Sequence, residues 1–119
     1  MATKSFSNKE LACRHCGALN ESPEFQTFMD KVQVLRDAYG KPLKVTSAYR
    51  CPKHPIESLK VKPGQHSVGA IDLAVRDEDA YDVLKLAFDI GFTGIGVNQK
   101  GDNRFIHIDL RKDRRVWSY

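Results

Sequence analysis

Two histidines and an aspartate, His66, Asp72 and His107, are the residues of this chain whose types could do chemistry together. They lie in two separate segments, Gln65-His66-Ser67-Val68-Gly69-Ala70-Ile71-Asp72 and Phe105-Ile106-His107-Ile108-Asp109. Two imidazoles and one carboxylate are the ligand set of a catalytic zinc that keeps its fourth position open. Hydrolysis at a metal is therefore the chemistry they suggest. Strand side chains alternate faces, so His107 and Asp109 point to one side and Ile106 and Ile108 to the other. The isoleucines would face the core, and His107 and Asp109 a groove. Such a pair on an apolar strand is costly unless its members bind something or each other. Asp72, set among Ala70, Ile71, Leu73 and Ala74, needs a cation or hydrogen-bond donors for the same reason. A satisfied structural aspartate is the competing reading.

The elements that must position these residues are legible in outline. Ser7-Asn8-Lys9-Glu10 reads as a capping box opening a short helix. Ser22-Pro23 supplies a cap and a first-turn proline for a second helix that Gly40 ends. Its core face is Phe25, Phe28, Met29, Val32 and Leu35. Leu43 to Tyr49 reads as a strand, residues 51–65 with their three prolines as a loop, and Ala70 to Val75 as a short apolar strand. Asp77 is expected to cap a third helix that buries Val83, Leu84, Ala87, Phe88 and Ile90 and stops at Gly91. Strands follow at Phe92 to Asn98 and Arg104 to Leu110, separated by a turn at Gln99 to Asn103. Val116 to Tyr119 is a candidate edge. The expected fold class is α+β, with N-terminal helices packed on a small, mostly antiparallel sheet.

The 119 residues are expected to form one domain spanning 1–119. The net charge of +4 suits ordinary solubility or attraction to a polyanion. The first residues lack the apolar core of a signal peptide, and no segment has the length of a membrane span. Synthesis in the cytosol, with release by another protein or by lysis, is the expectation. Three cysteines argue against a complete disulfide framework.

Three ordered motifs, Ser47-Ala48-Tyr49-Arg50, then Gln65-His66-x-x-Gly69 leading to Asp72, then Phe105-Ile106-His107-Ile108-Asp109, resemble the D-alanyl-D-alanine carboxypeptidase family of zinc peptidases. That family includes phage endolysins that cut the L-alanyl-D-glutamate bond and vancomycin-resistance dipeptidases, and it shares its fold with the hedgehog signalling domain. The resemblance implies zinc ligands at His66, Asp72 and His107. It implies that Arg50 binds a substrate carboxylate or carbonyl, with Ser47 and Gln65 beside it. A surface salt bridge is the plainer reading of Arg50. The implied function is zinc-dependent hydrolysis of peptidoglycan stem peptides by a monomeric, phage-type endolysin, with no nucleic-acid partner and no membrane insertion.

Two departures from the family pattern stand out. Five residues rather than six separate His66 from Asp72. Arg104 occupies the position, three before the last ligand, where many members carry a catalytic Glu or Asp. Asp109, on the same strand face as His107, is the first alternative as catalytic carboxylate, to shuttle the proton or to orient a ligand histidine, and Asp102 in the preceding turn is the second.

Cys13, Cys16, Cys51 and His54 form CxxC and CxxH pairs at the spacing of a second, structural zinc. Free thiols or a Cys13–Cys16 disulfide are the competing readings. Other functional classes are a non-catalytic zinc-binding module, a cytosolic D-alanyl-D-alanine dipeptidase, and a small zinc-ribbon nucleic-acid binder using the basic run Arg111 to Arg115. That run is more often a solvated face.

Overall fold

A computed structural model describes residues 5–12, 17, 22–48 and 69–119. The elements run α1 (Asn8–Leu11), α2 (Pro23–Tyr39), β1 (Val45–Ser47), β2 (Ala70–Leu73), α3 (Asp77–Ile90), β3 (Gly94–Asn98), β4 (Phe105–Asp109) and β5 (Arg115–Ser118).

Local chemistry sets the helix ends. In α1 the Ser7 hydroxyl accepts from Glu10 N–H, and the Glu10 side chain returns to Ser7 N–H, completing the expected capping box. In α2 the Ser22 hydroxyl accepts from Phe25 N–H with Pro23 behind it, and Gly40 closes the helix at φ +79°, where a side chain would be strained. Ser22→Ala is expected to cost about 1 kcal/mol, read as a lower urea midpoint with an unchanged slope.

All five expected residues of α2 are buried. The α3 face differs from the expectation. Ala80, Val83 and Ala87 are its buried residues, Leu84 and Ile90 are partly buried, and Phe88 is 59% exposed. The stripe runs through positions spaced by three and four, and Phe88, next to Ala87, falls on its flank. Nor does Asp77 cap this helix. The cap position is Arg76, without a side-chain cap bond, and Asp77 is the first helical residue at φ +54°.

The five strands form one sheet in the order β1-β2-β4-β3-β5. All pairings are antiparallel except β3 with β5, so the C-terminal segment does supply an edge, in parallel orientation. Ile71, Leu73, Ile95, Ile106 and Ile108 join α2 and α3 in the core. Phe28 sits at its centre, edge-on to Phe92 at 5.9 Å between ring centroids. No helix among the described residues is long and apolar enough to cross a membrane.

Candidate metal and substrate site

Register places the polar residues of the sheet in one row. Ser47 pairs with Asp72, Asp72 with His107, His107 with Gly96, and Gly96 with Trp117. Residues directly opposite each other share a face, so this row crosses the whole sheet on the side away from the isoleucines. Beside it, Asp109 pairs with Ala70 and Gly94.

His107 lies between two carboxylates. Its Nδ1 is 3.0 Å from Asp72 Oδ1, and its Nε2 is 2.7 Å from Asp109 Oδ2. Asp109 is fully buried. It also accepts from Arg111, whose Nε is 2.9 Å from Oδ1 and whose Nη2 is 2.6 Å from Oδ2, while Arg111 N–H donates to Oδ1 at 3.1 Å. Such a two-pronged guanidinium–carboxylate pair fixes both position and orientation. The Arg111 guanidinium lies 4.4 Å from the Trp117 ring centroid, and the Trp117 ring is 5.1 Å from that of His107.

Burial disfavours charge on both acid and base here. It opposes protonation of His107, but the hydrogen bonds to Asp109 and Asp72 outweigh it and raise the imidazole above its ordinary value. Burial would likewise raise Asp109, yet His107 and Arg111 hold it well below the usual carboxylate range.

Two glycines make room for this cluster. A Cβ on Gly94 would overlap the Asp109 carboxylate and Arg111 Nε, and one on Gly96 would stand 2.6 Å from Trp117 Nε1. Gly94 and Gly96 are therefore required by close approach of side chains from the neighbouring strands.

The sequence places His107 and Asp109 correctly on one face and Ile106 and Ile108 in the core, and all four are buried. A groove of about 330 Å³ opens beside Asp72 and takes in Lys44, Ser47, Asp102 and Arg104. Ser47 and Asp72 both line it. His66, Arg50, Gln65 and the candidate structural ligands Cys13, Cys16, Cys51 and His54 lie outside the described residues, as does the shortened His66–Asp72 spacing.

Among the described residues no three candidate ligands gather around one point. The two that meet, an imidazole nitrogen and a carboxylate oxygen at 3.0 Å, are donor types of a catalytic zinc. The far nitrogen of the same ring rests on a carboxylate, the arrangement that fixes a metal-ligating histidine in one tautomer. These residues fit the metal.

The sequence gives Trp117 either a groove-lining place with Tyr119 or, as the plainer reading, a place in a packed C-terminal edge, and it gives Arg111 no place in this cluster. The signal for Arg111 was available: His107, Asp109 and Arg111 continue the same two-residue alternation. Because Arg111 is committed to Asp109, the run from Arg111 to Arg115 is not a uniform basic face.

No curated protein matches the chain. A family model for peptidase M15 matches residues 4–109. Peptidases of that family depend on zinc. The match takes in His107, Asp72 and strands β1 to β4, and the chain belongs to the peptidase M15 family.

Proposed function

We propose that this chain is a zinc-dependent peptidase acting on peptidoglycan stem peptides, as a D-Ala-D-Ala carboxypeptidase or L-Ala-D-Glu endopeptidase of the phage endolysin type with a hedgehog-like fold. It would act as a monomer on the cell wall, after release from the cytosol where it is made. The observation that carries this reading is His107 held between Asp72 and Asp109, in a chain of a zinc peptidase family.

His66, Asp72 and His107 would hold the ion, with His107 using Nδ1. Bound zinc supplies Lewis acidity at a carbonyl and lowers the pKa of a water. The protein's own groups do the rest. Asp109 accepts from His107 Nε2–H, fixing the tautomer that leaves Nδ1 to the metal. Arg111 clamps Asp109 from its other side. Both Asp109 oxygens are engaged and buried, so it orients the ring and takes no proton from a substrate. The carboxylate suited to proton transfer is Asp102, exposed on the groove that contains Asp72. Arg50 would bind a substrate carboxylate. Cys13, Cys16, Cys51 and His54 could hold a second, structural zinc.

Mass spectrometry of purified peptidoglycan, incubated with zinc-loaded or chelator-treated protein, tests this reading. Fragments released only with zinc are expected, and their masses name the bond. Intact peptidoglycan across several wall chemistries would refute it. Asp102→Asn is expected to lower kcat about a hundredfold or more with unchanged zinc content, and full activity in that variant would return the base to another residue.

A further inference from the structure

The groove beside Asp72 contains two cations, Lys44 and Arg104. Lys44 is exposed, its backbone is anchored where its carbonyl accepts from Ala74 N–H at 2.9 Å, and no described residue forms an ion pair with its ammonium. Arg104 is held from behind. Its Nε donates to the Gly101 carbonyl at 3.0 Å and its Nη1 to Asp77 Oδ1 at 3.2 Å. A guanidinium has five N–H groups, so donors remain for a ligand in the groove.

The support for Arg104 is itself built. Gln99 Nε2 donates to the carbonyls of Val75 and Asn98, and Gln99 Oε1 accepts from Asp77 N–H at 3.3 Å. Asp77 holds φ +54°, a conformation uncommon outside glycine although aspartate tolerates it better than most residues. Its ion pair with Arg104 is exposed, and such a pair adds little stability. Strained backbone concentrates where function over-determines conformation. The chain thus spends a strained residue at the start of α3 to aim one arginine. The two carboxylates facing the same groove already have roles, Asp72 with His107 and Asp102 in proton transfer.

We propose that Arg104 and Lys44 form a carboxylate subsite, so that the enzyme selects stem peptides whose glutamate α-carboxylate is free over those in which it is amidated. This rests on the peptidase reading above for its substrate class. A forked guanidinium with a nearby ammonium binds a carboxylate through charge-assisted hydrogen bonds, which a neutral amide cannot match.

The test is an NMR titration of the zinc-loaded full chain with two stem peptides that differ only in that group, hydrolysis being followed separately in the same samples. The free acid is expected to bind about tenfold more tightly than the amide. Arg104→Gln should erase the preference and Lys44→Gln should reduce it. Lys112→Gln, which removes the same charge outside the groove, should leave it intact. Equal binding of the two peptides, no binding of either, or a preference that survives Arg104→Gln would overturn the subsite. A preference without hydrolysis would refute the peptidase reading and leave the subsite standing. Hydrolysis without preference would do the reverse.

Discussion

His107→Ala is expected to bring stem-peptide hydrolysis down to the chelated background while the protein remains folded. The imidazole touches both Asp72 and Asp109. Without it, the proposed metal site would lose a ligand and Asp72 would lose its bond to His107 across β2 and β4. Breaking a buried charged pair costs about 3–5 kcal/mol. Here the lower end applies, because Asp109 keeps Arg111 and its backbone N–H. A loss of about 3 kcal/mol leaves a domain of ordinary stability folded. Circular dichroism and urea unfolding, run beside the hydrolysis assay, separate lost chemistry from lost structure. Wild-type turnover by this variant would remove His107 from the metal site.

Gly94→Ala is expected to damage the site from a position that bears no side chain. The added methyl would overlap Asp109 and Arg111. Asp109 has nowhere to move, being fully buried and held by His107 and Arg111. Overpacking of this kind costs about 1–3 kcal/mol. Displacing Asp109 also frees the His107 ring, and loss of such an orienting partner weakens metal binding about 10–100-fold. A lower urea midpoint together with weaker zinc affinity is the expected result, and wild-type values for both would contradict the packing described. Gly96→Ala should be milder, since the atoms it meets belong to Trp117 on the edge strand β5.

The contrast between those two positions shows what a sequence can disclose. Helix α2 was legible because its cap, proline, apolar stripe and closing glycine are local signals that agree. The pairing of His107 with Asp109 was legible because strand alternation is local too. That Asp72 stands directly opposite His107 depends on register between strands 35 residues apart in sequence, which periodicity does not encode. Gly94 and Gly96 were illegible for the same reason, since the side chains they accommodate come from β4, the segment after it and β5. Arg111 was missed because the charges around it read as solvated surface. Asp77 looked like a helix cap in sequence, yet its carboxylate is turned to Arg104 instead. The burial of Phe88 failed because several adjacent apolar residues in α3 fit more than one helical face, and the choice is made by what packs against them.

The most direct test of the metal site is equilibrium dialysis of zinc against the wild-type protein and His107→Ala, with bound metal counted per chain. The variant is expected to hold one zinc fewer than the wild type, whatever the cysteine cluster binds, because the difference counts only the site His107 completes. Equal zinc in the two proteins would contradict the assignment of His107 and Asp72 to the metal.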